Sequence, residues 1–232
     1  MPMGMPYVSP EQLMKDKADY ARKGISRGRP VVAIAYDAGV LFVAENPSST
    51  LNKISEIYDR LAFAATGRYN EYEALRQSGI NYADVRGYQY SRQDVTGRAI
   101  ANAYANAIGA NFSEVGAKPL EVELLVAELT ADSIEIYHIL YDGSISDEEG
   151  YVVIGGGAEV VSERLGRDFS EGMSRDAALR SARHALGYDR ADETRTIQPE
   201  RLEVAGLDRR RNRRKFFRLD TTAIAAALLP LS

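Results

Sequence analysis

Apolar residues follow two patterns along the chain, short unbroken runs and repeats of about four residues. The first unbroken runs are Val31–Tyr36 and Val40–Ala44, separated by Asp37-Ala38-Gly39. Two such runs joined by a short loop with Gly predict a β-hairpin, and their continuous apolarity predicts strands covered on both faces. Further strands are predicted at Ile54–Asp59, Leu61–Ala65, Val122–Val126, Ile134–Leu140, Tyr151–Ile154, Leu202–Leu207 and Lys215–Leu219.

Helical repeats separate these strand blocks. Ile100, Tyr104, Ile108 and Phe112 recur every fourth residue, which predicts a helix with one apolar face. The motif Ser9-Pro10-Glu11-Gln12 predicts a helix start, with Ser9 as N-cap, Pro10 at the first helical position and Gln12 completing a capping box. We also expect helices at residues 70–80, with Asn70 as a cap and a polar loop at Arg86–Asp94 after them, and at Ala158–Phe169, Ser174–Leu186 and Thr221–Leu229.

The order of these elements predicts the fold class. Strands come in hairpin blocks and helices in pairs, which argues against βαβ alternation and a parallel sheet. We predict one α+β fold, a four-layer α/β/β/α sandwich of two antiparallel sheets packed face to face, with helix pairs outside. The expected division is a flexible N-terminal segment (1–8) and a single domain (9–232), which comprises an N-terminal helix (9–23), the sandwich (31–220) and a C-terminal helix (221–229).

Composition removes several kinds of chemistry. The 232 residues contain no Cys and two His, which excludes disulfides, thiolate zinc sites, Cys nucleophiles and a His-rich metal site. No apolar run approaches the roughly 20 residues of a membrane span, and Met1–Tyr7 lacks the features of a secretory signal. With a formal net charge of −4, we expect a cytoplasmic protein without cofactor or metal that binds neither nucleic acid nor membrane.

A set of local strings, in order and spacing, resembles the proteasome family, and in particular the α-type subunits of the actinobacterial core particle. The strings are Ser9–Gln12, Ala21–Ile25, Leu41–Pro47, Lys53–Glu56, Asp84–Tyr88, Asp94–Arg98, Ala117–Leu124 and Tyr141–Ile145. Together they cover about residues 7 to 220. The resemblance implies an outer-ring subunit that gates substrate access and docks ATPase activators.

The resemblance also implies that this subunit is not catalytic by itself. Proteasome β-subunits attack peptide bonds with an N-terminal Thr whose free amino group acts as the base. The corresponding place, just before Val31, reads Gly28-Arg29-Pro30 and contains no Thr. Glu45 and Lys53 match the acidic and Lys positions that accompany this Thr, so the charges are present without the nucleophile.

Two functional regions are carried over from the resemblance. An activator-docking pocket is implied at Lys53, Gly67, Gly28 and Arg68, where an ammonium group suits a terminal carboxylate and glycine lets a peptide backbone approach closely. Arg68 stands where many relatives have an apolar residue. A gate is implied at Tyr7, Val8, Ser9, Pro10 and Tyr20. The implied partners are further copies of the chain in a heptameric ring, a β-subunit ring, an ATP-dependent unfoldase ring docking through its C-terminal tails, and tagged protein substrates.

Two alternative functions remain open from the sequence. One is a self-processing amide hydrolase of the same fold, which would need a mature N-terminal Thr, Ser or Cys. The other is a binding module that uses the basic run Arg209–Lys215 for nucleic acid or an acidic partner, although the run lacks interleaved aromatic residues and a solvated hairpin tip is the favoured explanation. Gly155-Gly156-Gly157 lacks the spacing of a phosphate-binding loop and predicts a tight strand-to-helix turn.

Overall fold

Two five-stranded antiparallel sheets form the centre of the molecule. The computed structural model describes residues 9–187 and 195–229. The strands in this part are β1 (Val31–Tyr36), β2 (Gly39–Glu45), β3 (Ile54–Tyr58), β4 (Leu61–Gly67), β5 (Val122–Leu129), β6 (Ile134–Ile139), β7 (Ile145–Glu148), β8 (Tyr151–Ile154), β9 (Leu202–Asp208) and β10 (Phe216–Arg218). The first sheet has the order β10-β9-β2-β1-β8 and the second the order β3-β4-β5-β6-β7.

Helices lie on the outer faces of both sheets and, in one case, at an end of the sandwich. They are α1 (Pro10–Ile25), α2 (Tyr69–Gln89), α3 (Gly97–Ser113), α4 (Ala158–Asp168), α5 (Arg175–Leu186) and α6 (Thr221–Ala227), with short 3-10 turns at Arg92–Asp94 and Pro199–Arg201. Within residues 9–187 and 195–229, each helix is too short or too polar to cross a bilayer.

Three apolar clusters hold these layers together. Inward-facing residues such as Phe42, Ala64 and Leu125 fill the space between the two sheets. A second cluster joins the first sheet to α4, α5 and α6, and a third joins the second sheet to α2 and α3. The predicted α/β/β/α sandwich is confirmed, and strands β1 and β2 are buried on both faces as their unbroken apolarity predicts.

Strand register defines two ends of the sandwich. Val31 pairs with Ala44 at one end of the β1–β2 hairpin, and Tyr36 pairs with Gly39 at the other. The first end collects the segment before β1 and the ends of β2 and β4, and we call it the α1 end because α1 packs there against β4 and β5. The second end carries the hairpin turns at Asp37-Ala38 and at residues 209–215, and we call it the turn end.

Several local predictions differ from the structure. The residue before α2 is Arg68, which provides no side-chain cap, and Asn70 lies inside the helix. That helix continues to Gln89, so the loop predicted at Arg86–Asp94 is shorter than expected. Helix α1 begins after Ser9 as predicted but ends at Ile25, and α6 ends at Ala227.

Two further differences concern side-chain capping and strand β7, which the sequence pattern does not predict. Ser9 Oγ accepts a hydrogen bond from the Gln12 amide N at 3.2 Å, but the Gln12 side chain bonds Asp16 and leaves the capping box half made. Strands β7 and β8 follow each other in sequence but belong to different sheets. The chain therefore crosses from one sheet to the other at Glu149-Gly150.

Candidate functional site

The segment in front of β1 meets Lys53 at the α1 end. The Lys53 Nζ donates a hydrogen bond to the Arg29 carbonyl oxygen at 2.7 Å. The hydroxyl of Thr66, a fully buried residue near the end of β4, donates to the same oxygen at 3.2 Å. The backbone at Arg29-Pro30 is thus held by two donors from the other sheet. We call this group, Arg29, Pro30, Lys53 and Thr66, the Lys53 corner.

Glu203 on β9 fixes the backbone that carries Lys53. Its carboxylate accepts hydrogen bonds from the backbone N of Lys53 at 2.9 Å and of Ile54 at 3.0 Å. It also accepts from Asn46 Nδ2 at 2.7 Å and Arg218 Nη1 at 2.8 Å. Because Glu203 is buried and saturated with donors, it orients the start of β3 and with it the Lys53 side chain.

Burial lowers the pKa of Lys53 to about 8, because the charged ammonium loses hydration there. Glu203 and Glu45 oppose this effect by attracting the positive charge, and the Arg29 guanidinium adds to it by repulsion. An ammonium has three donors, and within the described part of the chain Lys53 uses one, on the Arg29 carbonyl. At neutral pH the group is therefore mostly charged and retains donors for a carboxylate.

Gly28 and Gly67 lie against each other beside this corner. A Cβ added at Gly28 would clash with Thr66 Oγ1 and lie 3.0 Å from the Gly67 backbone N. Gly67 has a φ of +107°, which favours glycine. The structure thus brings three of the four predicted docking residues, Lys53, Gly28 and Gly67, to one place.

Arg68 follows Gly67 but belongs to a network of charges beside α1. Its guanidinium lies 3.7 Å from Glu71 and 3.6 Å from Glu121. Lys118 contacts the same two carboxylates at 2.6 and 2.9 Å. Burial alone would raise the pKa of Glu121, but Lys118 and Arg68 outweigh it and lower the pKa. Arg68 therefore joins the docking region to the surface under Tyr20, whose ring lies 5.7 Å from Lys118 Nζ.

The predicted gate residues are only partly described by the structure. Tyr7 and Val8 lie outside the described residues. Ser9 and Pro10 form the start of α1, and Tyr20 is half exposed on the same helix. The ammonium of Lys17, a buried residue, donates to the carbonyls of Phe112 and Glu114 at 3.0 and 2.6 Å and so anchors α1 beside the end of α3.

Glu45 gathers three arginines on the other side of the same backbone segment. Its side chain is 5% exposed, and Arg29 Nη1 lies 2.7 Å from Oε2. Arg195 binds both oxygens, and Arg201 Nη2 lies 3.3 Å from Oε1. Hydrogen bonds from Arg195 and Arg29 lower the pKa of Glu45 although burial opposes them. We call Glu45, Arg29, Arg195 and Arg201 the Glu45 cluster.

Two of the six basic side chains in the run at the turn end pair with carboxylates, and others donate to backbone carbonyls of the fold. Arg210 pairs with Asp37 at 2.6 Å, and Arg214 binds both oxygens of Glu56 at 2.7 and 2.8 Å. Arg209 donates to the Ala131 carbonyl at 3.0 Å. These contacts tie the β9–β10 turn to neighbouring hairpins, which supports the reading as a structural hairpin tip.

The glycine run after β8 is a packed turn. The backbone N of Gly155 donates to Glu123 at 3.0 Å and that of Gly156 to the Gly28 carbonyl at 2.9 Å. Gly155 and Gly157 have positive φ values, so the run makes the tight strand-to-helix turn that its sequence predicts.

The corner lacks the atoms that amide hydrolysis by an N-terminal nucleophile needs. Arg29 and Pro30 offer no hydroxyl or thiol, and the nearby Thr66 hydroxyl is buried with its proton directed to the Arg29 carbonyl. A Thr inside a strand also has no free α-amino group to act as base. What the corner offers is a confined positive charge next to glycine backbone.

Sequence reasoning did not identify Thr66, Glu203, Arg195 or Arg201 as parts of these sites. Glu203 gave one usable signal, since it is a charged residue inside an otherwise apolar strand that runs from Leu202 to Leu207. The arginines gave none, because their meeting at Glu45 depends on long-range packing.

Comparison with known proteins identifies the family of this chain. The family model described as "Proteasome subunit" matches residues 25–205. A "Proteasome subunit alpha" of Thermomonospora curvata is 56% identical over 229 residues, which is 97% of this chain and 98% of that protein. A protein of the same name from Kineococcus radiotolerans is 55% identical, and the match covers 96% of this chain and 96% of that protein. Another from Thermobifida fusca is 53% identical, and the match covers 97% of this chain and 91% of that protein. The chain belongs to the proteasome family.

Proposed function

We propose that this chain is a non-catalytic α-type subunit of a proteasome core particle, which forms the outer ring, gates substrate access and docks an ATP-dependent activator. The observation that carries this proposal is the Lys53 corner. Arg29 and Pro30 lie just before β1, where the family resemblance implies the nucleophile of β-subunits, and Lys53 donates to the Arg29 carbonyl. The relatives named "Proteasome subunit alpha" support the same assignment.

An exposed aromatic surface on α2 supports assembly into a ring. Tyr82, Val85, Tyr88 and Tyr90 lie near the C-terminal end of this helix, and Tyr88 is 93% exposed. Exposed apolar patches of this kind mark protein–protein contacts. We assign this surface to contacts with other subunits, which comprise copies of this chain in a heptameric ring and a ring of β-subunits that supply the Thr nucleophile.

Docking of the activator is assigned to Lys53 with Gly28 and Gly67. A terminal carboxylate would accept from the Lys53 ammonium, and the two glycines would let the peptide backbone come close. The ligand in this proposal is the C-terminal tail of an ATP-dependent unfoldase ring, which would deliver tagged proteins in the cytoplasm.

The first experiment separates a structural subunit from a hydrolase. The purified chain alone should not cleave a fluorogenic peptide, whereas co-expression with the β-type chain of the same organism should give an active particle. Replacing the N-terminal Thr of the β-chain by Ala should abolish activity without changing particle size. Peptide hydrolysis by this chain in a preparation that mass spectrometry shows to be free of β-chain would contradict the proposal and favour the self-processing hydrolase.

A second experiment tests the gate. Deleting residues 1–8 should raise the basal rate at which the assembled particle cleaves a peptide, because the barrier at the ring axis is removed while the β-chain is unchanged. The same deletion in a particle carrying β-chain Thr→Ala should show no activity. An unchanged basal rate after deletion would reject a gating role for this segment.

A further inference from the structure

A cavity of about 400 Å³ opens beside the Glu45 cluster. It lies between the segment in front of β1, the start of α4 and the stretch that leads into β9. Its size falls within the range of small-molecule sites. Its lining residues are Ser26, Arg27, Gly28, Arg29, Pro30, Glu45, Gly156, Gly157, Val161, Leu186, Arg195 and Arg201.

Positive charge exceeds negative charge among these lining residues. Four guanidinium groups line the cavity, and Glu45 is the one carboxylate of the described lining. Glu45 is almost fully buried behind its arginines, while Arg29, Arg195 and Arg201 keep 43, 45 and 50% of their side-chain surface exposed. The carboxylate therefore fixes the arginines in place, and their outer edges face the cavity.

Two further features favour an anion in the same space. Arg27 lines the cavity and forms no ion pair within the described part of the chain. Helix α4 begins at the cavity after Gly157, so the positive end of its dipole lies at the cavity. No side chain caps this end of the helix. Val161, Leu186 and Pro30 supply an apolar wall next to these charges.

We propose that this cavity, which we call the arginine cavity, is a binding site for a small molecule that carries a doubly charged phosphate group. The phosphate accepts hydrogen bonds from Arg27, Arg29 and Arg201, whose planar guanidinium groups match phosphate oxygens. The organic part of the molecule lies on the apolar wall.

The arginine cavity borders the Lys53 corner, because Arg29 and Pro30 of that corner, and Gly28 beside it, line the cavity as well. Lys53 and Thr66 do not line it, whereas Val161 and Leu186 of α4 and α5 do. Arg29 takes part in both places through different atoms, its carbonyl toward Lys53 and its guanidinium toward Glu45. The proposal does not depend on the assignment of Lys53, and either can fail without the other.

Isothermal titration calorimetry on the full chain, at low ionic strength, tests the site with inorganic phosphate and with phenyl phosphate. We expect both to bind, and phenyl phosphate to bind more tightly because its ring contacts the apolar wall. Arg201→Gln and Arg27→Gln should each weaken the phosphate affinity about tenfold, as expected for one charge-assisted hydrogen bond. Arg201→Lys keeps the charge but loses the planar donors, so its phosphate affinity should be intermediate between those of the wild type and Arg201→Gln.

A matched variant controls for nonspecific charge effects. Arg167→Gln removes one exposed guanidinium from α4, where it pairs with Glu163 outside the cavity, and should leave both affinities unchanged. The Arg201 variants lose a contact with Glu45 and could fold less well. Arg27→Gln tests the site without this complication, because Arg27 is exposed and forms no ion pair within the described residues. The absence of measurable binding of either compound to the wild type would overturn the proposal. A loss in Arg167→Gln as large as in Arg27→Gln would also overturn it.

Discussion

Two basic regions of this molecule, the Lys53 corner and the basic run of residues 209–215, lie at opposite ends of the sandwich and differ in what surrounds their charge. The turn end has six Arg and Lys side chains within seven residues, and Arg210 and Arg214 lie against Asp37 and Glu56. The Lys53 corner has a single ammonium that bonds a neutral carbonyl and forms no ion pair within the described part of the chain.

This difference shows that charge density in a sequence does not indicate where an unpaired charge lies in the fold. The basic run is conspicuous, yet its contacts join neighbouring hairpins and leave little charge in a confined space. Lys53 is inconspicuous, yet burial places its charge where a carboxylate would be attracted strongly. We expect binding of the activator tail to depend on Lys53 and to be independent of the basic run.

The largest effect is expected at Glu203, which holds the Lys53 backbone. Glu203→Ala should lower the free energy of unfolding by about 3–5 kcal/mol, because it leaves the backbone N–H groups of residues 53 and 54 and the Arg218 guanidinium without their acceptor. Glu203→Gln keeps one acceptor oxygen and should cost less. Chemical denaturation measures both. Glu163→Ala, on the exposed face of α4, serves as the control, with an expected change below about 0.5 kcal/mol. A similar small change in Glu203→Ala would show that this carboxylate does not organise the corner.

The second prediction concerns pH. Because the pKa of Lys53 is lowered to about 8, its charged fraction should fall roughly tenfold between pH 7 and 9. The affinity for a peptide with a free C-terminal carboxylate should decrease over that range. Fluorescence anisotropy of a labelled activator tail, bound to the assembled particle, measures it.

Lys53→Arg provides the matched control for this titration. A guanidinium stays protonated throughout the range, so the affinity of this variant should not change between pH 7 and 9. An equal pH dependence in wild type and Lys53→Arg would assign the titration to another group.

The smallest effect is expected at the turn end. Arg214→Gln removes an exposed ion pair with Glu56 and should cost about 0.2–1 kcal/mol of stability, measured by thermal denaturation. Binding of the labelled activator tail should not change. Weaker tail binding in this variant would mean that the basic run, too, takes part in docking.

Local sequence patterns predicted most of the fold. The four-residue repeat from Ile100 to Ile108 and the unbroken run Val31–Tyr36 correspond to α3 and β1, because each element buries the side chains that define its period. The end of α2 was missed because Tyr82, Val85 and Tyr88 are exposed on the helix, so that its apolar residues do not follow one face. Strand β7 is not predicted because its four residues, Ile145–Glu148, are mostly polar and exposed and show no apolar pattern.

The candidate site was predicted less completely than the fold. Lys53, Gly28 and Gly67 were identified through the family resemblance, and the structure brings them together. Glu203 and Arg195 were not identified, because the groups that they bind lie about 150 residues away in sequence. Contacts of this range depend on sheet order, which local patterns do not reveal.

Degradation of a folded protein by assembled particles shows whether Lys53 docks the activator. Particles assembled from the wild-type chain, Lys53→Ala or Arg214→Gln with the same β-chain are compared for degradation of a folded, tagged protein with the ATPase activator. Basal peptide cleavage and particle size serve as controls. We predict that Lys53→Ala loses the stimulated degradation but keeps the basal peptide cleavage and particle size of the wild type. Arg214→Gln should match the wild type in all three measurements. Full stimulation in Lys53→Ala would contradict this prediction.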